Sequence, residues 1–315
     1  MTRQHSAFTL AAMTVSLCIA LCIALPALPA AAEPTDAAAQ NSGPSLTIAA
    51  TPEYQFGSNL DKGGSMSVFR LLFAVDGNIP LGETLGIGLH FGYNYADYNF
   101  SGPFTFAGAK PWDKVHSLEF GGSVSYDLTP EWSIYVAPTV QISREDGAGW
   151  GNAIEYGGSV SVTRDFGPNL TLGAGCAAFS ELEQVSVYPV IVVNWRISDR
   201  LRLANPDRPG PTGPAGLELS YRIDDGWNVA TGVGYRYERF RLNNSGLFRD
   251  GIGESSAIPA WVRISRSVGK SFNLDLYGGA MFVGKVSIDD SNGNRLTSDD
   301  HDIAPLLALA VSYRF

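Results

Sequence analysis

From Leu46 to the C-terminus, hydrophobic and polar positions alternate with a period of two, in stretch after stretch. The clearest is Thr84–Tyr95, where Leu85, Ile87, Leu89, Phe91, Tyr93 and Tyr95 interleave with Gly86, Gly88, His90, Gly92 and Asn94. A strand turns successive side chains to opposite faces, so each stretch predicts a two-faced strand. Fourteen can be counted. The first is Leu46–Phe56, the ninth a short Leu201–Ala204, and the last Ile303–Phe315, which ends the chain. On that closing strand Ile303, Pro305, Leu307, Leu309, Val311, Tyr313 and Phe315 share one face, and Arg314 and Ser312 lie on the other. Merging the ninth strand with the tenth, or dropping it, leaves twelve.

The connections alternate in length. Short ones include Thr129–Glu131, Gly167–Asn169, Asp224–Gly226 and Val268–Ser271. Most of the others are longer and polar, such as Ala96–Lys114, Asn205–Ala215, Asn243–Ser255 and Gly284–Asp302. Six short turns and seven loops put both ends of a closed sheet on the short-turn side. Aromatic or apolar residues stand straight after several short turns, as Trp132, Trp227 and Phe272 do. Trp227 and Tyr235 share a face, and eight residues of tilted strand span roughly 20 Å. That is close to the apolar band of about 25 Å between the aromatic girdles of a membrane barrel.

The second face decides which side meets lipid. It carries Arg70, His90, Glu119, Glu155, Arg196, Glu218, Arg222, Arg236, Glu238, Arg263, Asp275 and Arg314, with serines and glycines between. Fourteen strands enclose a space that side chains do not readily fill. Polar-in and apolar-out follows, and these twelve residues become candidate lumen-lining groups. Both signs of charge point inward and no cluster of one sign is evident, so no strong ion preference is expected. Pro138, Pro189, Pro259 and Pro305 fall inside predicted strands and mark bulges or ladder ends, because proline cannot donate to a ladder. Pro52 and Pro305 lie on the two strands that must pair to close the sheet.

The N-terminus sets the compartment. Arg3, the apolar Leu10–Leu28 and Ala30-Ala31-Ala32 read as a signal peptide over residues 1–32, followed by a flexible lead-in over 33–45. The domain is then 46–315. No later apolar run approaches the 18 or so residues of a spanning helix. Cleavage removes one positive charge, so the net charge of −9 becomes −10, which argues against nucleic-acid partners. It also removes Cys18 and Cys22, leaving Cys176 as a small hydrophobe on a strand.

An alternating final strand ending in Phe315, with Tyr313 two residues before it, resembles the closing strand of Gram-negative outer-membrane β-barrel proteins. Among these the chain is most similar to single-domain barrels of unknown function. The resemblance implies an all-β, antiparallel, up-and-down transmembrane barrel of about fourteen strands in the cell outer membrane. It also implies lipid as surroundings and recognition of Phe315 and Tyr313 by the barrel-assembly machinery. A passive pore for small hydrophilic solutes is the leading expectation. A blocked barrel with functional external loops is the alternative.

A lipid-acting enzyme is less favoured. His90 is its one anchor, and no serine motif accompanies it, so no enzyme activity and no cofactor is expected. Asp290–Asn294 looks briefly like a calcium loop, but Arg295 and His301 stand where Gly and Glu belong. The aromatic residues Tyr98, Phe100, Phe104, Phe106 and Trp112 of Ala96–Lys114 are expected either to enter the lumen or to pack on its rim.

Overall fold

The computed structural model describes residues 43–102, 108, 110–206, 210–211 and 215–315. The signal-peptide segment, most of the lead-in, and Phe104 and Phe106 lie outside them. The described residues form fifteen strands: β1 (Ser45–Asn59), β2 (Ser65–Leu81), β3 (Leu85–Ser101), β4 (Lys114–Asp127), β5 (Trp132–Glu145), β6 (Ile154–Asp165), β7 (Leu170–Glu181), β8 (Gln184–Arg196), β9 (Leu201–Ala204), β10 (Ala215–Arg222), β11 (Trp227–Arg241), β12 (Ile252–Val268), β13 (Phe272–Asp289), β14 (Arg295–His301) and β15 (Ala304–Arg314).

Neighbours pair antiparallel from β1 through β13, and β15 lies between β13 and β1, so fourteen strands close a barrel. β14 is an external hairpin arm: it pairs with the upper end of β13, and a bridge from His301 to Leu60 ties it to the β1–β2 connection. Short β9 is a true wall strand, bonded to both β8 and β10. The seam runs from Thr47 opposite Arg314 to Gln55 opposite Leu306, with a break in the pairing at Thr51 and Pro52.

The faces divide as the alternation predicts. Leu89, Phe120, Val140, Ile191, Val262 and Leu307 form an exposed apolar belt. Below it stand Tyr126, Phe166, Trp195, Tyr221, Trp227, Tyr313 and Phe315, and near its upper edge Tyr54, Phe56, Tyr156 and Tyr235. Such paired girdles suit the two membrane interfaces, where an amphipathic ring has one apolar and one wet side. Arg164 and Arg266 sit over the Trp132 and Trp227 rings at 5.3 and 5.0 Å, placing cations at the lower girdle.

Two irregularities shape the interior. The upper ends of β11 to β13 leave the cylinder. A register shift between Ser256 and Ile258, the missing N–H of Pro259 and a left-handed Val283 (φ 51°) mark the bend. Beyond it Arg241 pairs with Arg144 of β5, although β6 to β10 stand between these strands in the wall. The top of β11 therefore crosses the barrel mouth.

The second irregularity is the low wall at β9 and β10. β8 pairs with β9 only over Asn194–Arg196. Above that level Asn205 replaces a strand. Its Oδ1 accepts from Val193 N at 2.8 Å, and its Nδ2 donates to Ile191 O and Gly216 O, both at 3.0 Å. Alternate residues of an antiparallel strand aim their backbone groups the same way, so Pro189 faces this edge too. A residue without an N–H fits there.

Candidate functional site

Register puts the twelve sequence-selected residues on the same face of the wall as Glu53, where they serve different purposes. Three of them build a buried lock with Glu53. Glu53, with a side chain 0% exposed, accepts from Arg236 Nη1 and Nη2 at 2.7 and 2.9 Å and from Arg70 Nη1 at 3.2 Å. Arg70 also meets Glu238 at 3.4 Å, and the Tyr98 hydroxyl donates to Glu238 at 2.8 Å. Two arginines and two glutamates thus neutralise one another, which is what removal of charge from water demands. The lock ties β11 to β1 and β2 across the barrel. Sequence reading missed Glu53, although it shares the inward parity of Thr51 and Gln55. It stands on the first strand, next to the proline that clouded that strand's pairing.

Above the lock lies a dry core. Met66, Val68, Tyr98, Phe100 and Trp112 of the β2–β4 side meet Phe240, Leu242, Val286 and Ile288 of the bent strands. Trp112 packs edge-on against Phe100 and Phe240, with centroids 5.4 and 5.2 Å apart. The aromatics that looked like loop residues therefore divide. Tyr98 and Phe100 belong to β3, which runs six residues further than the alternation suggested, and Trp112 seals the mouth on that side.

A second network takes Glu218, Arg263 and Asp275. Arg263 binds Glu218 through two nitrogens and Asp275 at 3.1 Å. Trp261 donates its indole N–H to Glu218 at 3.0 Å and lies against Gly216 and Gly232. Those glycines are required, because a Cβ on Gly232 would overlap the ring and come within 2.8 Å of the Leu217 carbonyl oxygen. Gly210, in the Pro/Gly-rich connection after β9, sits close to the Tyr277 hydroxyl across the lumen, and Pro211 is buried. That connection dips inward at these two residues.

What remains is the β4–β8 wall and the lower half of the barrel. There glycine faces serine or threonine across adjacent strands: Gly88 and Ser123, Gly121 and Thr139, Gly173 and Thr163, Gly175 and Ser161. Small polar side chains leave the space beside them unfilled. His90 donates to or accepts from Asp76 at 2.6 Å on this level, and Glu119 follows one register step above. The ring's recorded partner is a carboxylate rather than a serine hydroxyl. Arg222 reaches the carbonyl oxygen of Asp199 at 2.7 Å near the lower rim, Arg196 pairs in register with Arg202, and Arg314 stands opposite Thr47. The Asp290 carboxylate accepts the amides of Asn292 and Asn294 at 2.8 and 2.9 Å and so closes its own turn. Among the described residues no group of three or more His, Cys, Asp or Glu is placed to hold a metal ion.

The DUF6268 family, described as a domain of unknown function, matches residues 105–315, from the segment before β4 to the closing strand. The chain belongs to DUF6268. The matched region takes part in a closed antiparallel β-barrel, and β1 to β3, which lie ahead of it, complete the cylinder. An outer-membrane channel from Pseudomonas putida F1 shares the fold at a TM-score of 0.50 and 12% identity, over 90% of this chain and 99% of that one. The toluene transporter TodX of Pseudomonas putida gives 0.41 and 12%, over 86% and 89%. The translocator domain of the autotransporter NalP from Neisseria meningitidis gives 0.36 and 12%, over 100% and 97%. No curated protein matched the chain.

Proposed function

We propose that this barrel is a passive channel for small hydrophilic solutes, with the path along the β4–β8 wall. The observation that carries the reading is the contrast between the two sides. The β1–β3 and β11–β13 side is filled by neutralised charges and a dry aromatic core. The β4–β8 side presents Ser, Thr and Gly over its lower part, with a row of Glu and Gln above them. A polar surface built from the smallest side chains favours water over a packed interior. His90 and the other inward charges serve as lining or structural groups in this reading, and none is assigned a catalytic role. The N-terminal signal would export the chain, and the strand ending in Tyr313 and Phe315 would be read by the assembly machinery.

Conductance of the purified, folded barrel in planar bilayers tests this directly. A stable current is expected, reduced when Ser123→Trp places bulk on the polar wall. Folded protein that passes no current would overturn it.

The second reading is a blocked barrel whose external loops do the work. The Trp112–Phe240 seal over the mouth favours it. It expects no current from the wild type and an opened path in Phe240→Ala, whereas a channel along β4–β8 conducts with Phe240 in place.

A further inference from the structure

Register sorts the inward charges in a way their order along the chain conceals. The inward positions of β4 to β7 include Glu119, Glu155 and Glu181, and no Arg, Lys or His. Glu119 lies opposite Gln141, and Gln141 opposite Glu155. One step beyond the Tyr156–Ser180 pair, Glu155 faces Glu181, and Glu181 lies opposite Gln184. Three glutamates and two glutamines thus form one continuous arc over five neighbouring strands. The β11–β13 side differs, because its arginines are matched by acids of their own.

Glu155 is the telling member. It is 5% exposed. Its Oε2 accepts from Gln141 Nε2 at 3.3 Å, and its Oε1 has no partner. Two like charges directly across a strand pair are unfavourable, and a buried carboxylate oxygen without a donor is costly. The nearest cations on the crossing strand are committed elsewhere. Arg239 holds Glu254, Asp289 and the carbonyl oxygen of Leu182. Arg241 holds the carbonyl oxygens of Asn152 and Asp250, and Glu183. Glu181 already accepts from the Ser186 hydroxyl at 2.6 Å and from Gln184 at 3.4 Å, so the unmet acceptor of the arc is Glu155 Oε1.

We infer that the Glu119–Glu155–Glu181 arc is a cation-binding and selectivity element that takes small organic cations carrying ammonium groups. An ammonium has three N–H donors and a positive charge, which would satisfy the free Oε1 and offset the repulsion between Glu155 and Glu181. The inference rests on the channel reading for its transport role, and on the arc alone for binding.

Two measurements separate these dependences. In planar bilayers under a KCl gradient, the reversal potential should mark a cation-preferring wild type, with the current blocked by spermidine. Calorimetry on the folded barrel in detergent should show spermidine binding without reference to conductance. Glu155→Gln/Glu181→Gln should bring cation and anion permeabilities close to equal and weaken spermidine binding about tenfold. Glu83→Gln, an exposed acid in the β2–β3 turn, should change neither. The single variant Glu181→Gln, on a half-buried side chain, guards against a folding defect in the double variant. An unselective current together with no spermidine binding overturns the inference and leaves the channel standing. Absent current with arc-dependent binding removes the channel and keeps the site. Binding that survives in Glu155→Gln/Glu181→Gln overturns the arc as its location.

Discussion

Replacing Glu53 by Gln tests whether the crossing of the mouth is held by charge. The shape changes little, but a carboxylate that serves two arginines becomes an amide. One of its two acceptor positions turns into an N–H donor pointing at Arg236, whose two nitrogens now sit 2.7 and 2.9 Å from the carboxylate oxygens. Arg70 and Arg236 are left sharing Glu238 as their one remaining acid in the lock. Breaking a buried ion pair by removing one partner costs about 3–5 kcal/mol, and the retained amide oxygen argues for the low end, about 3 kcal/mol. That is a factor of roughly 150 in the folding equilibrium. Equilibrium urea unfolding in lipid, followed by tryptophan fluorescence, would read it. In a cycle with Arg236→Met the two losses should be strongly non-additive, because the second change removes the charge the first left unpaired. A loss below about 0.5 kcal/mol, the range of ordinary surface substitutions, would refute the reasoning. Water would then reach the pair, and the lock would not close that side.

Gly232→Ala should destabilise by about 1–3 kcal/mol through overpacking against Trp261 and the Leu217 carbonyl oxygen, and Trp261→Ala should relieve the part that comes from the ring. Asn205→Ala should cost about 1–3 kcal/mol, because the amide of Val193 loses its partner on the low side of the wall; proteolysis near Asn205 would report the loosened edge. His301, on the external arm β14, contacts Ser58 at 3.2 Å and is held below the usual imidazole range chiefly by burial. Its folded pKa lies below its unfolded one, so its contribution is present above about pH 6.5 and is lost as pH falls. His301→Asn should flatten the fall in stability between pH 7 and pH 5. Deleting Phe315, which is 68% exposed and stacks edge-on with Tyr313 at 4.7 Å, should lower the amount of barrel in the membrane and leave the conductance of assembled barrels unchanged.

The wall was legible because lipid imposes a rule on every strand: each second side chain must be apolar over the width of the membrane. That rule reaches only as far as the lipid does. β3 continues to Ser101 with Ala96, Tyr98 and Phe100 facing inward, and β13 continues to Asp289 with Val286 and Ile288 buried. Outside the bilayer the residues between them include the exposed Asn99 and Lys285, so the apolar face now points inward. The same alternation with its sense reversed reads as a loop to anyone counting apolar-out residues. Tyr237 shows the change within one strand. It shares parity with the girdle residues Trp227 and Tyr235, yet its hydroxyl donates to Glu254 at 3.0 Å, and Gln184 bonds it at 3.2 Å from β8.

The charges were harder for a different reason. Alternation tells which face a residue occupies, but the chemistry of a lumen depends on which strand stands beside which, and on what crosses between. In chain order, inward Glu119 and Glu155 stand between Arg70 and Arg196, and the tally of acids and bases looks balanced. In space the bases on one side carry their own acids, such as Glu53 and Glu238 for Arg70 and Arg236. Glu155 and Glu181 share a row with glutamines. A balanced total thus divides into a neutral wall and an acidic one. Closure of the sheet sets that division, because it brings β11 to β1 and β2 and leaves β5 to β8 facing the remaining space. The bend at Ser256–Pro259 therefore shapes the charge pattern of the interior as much as any single residue does. Straightening β11 to β13 would return Arg236 and Glu238 to the wall, release Arg70, and place positive charge opposite the glutamate row.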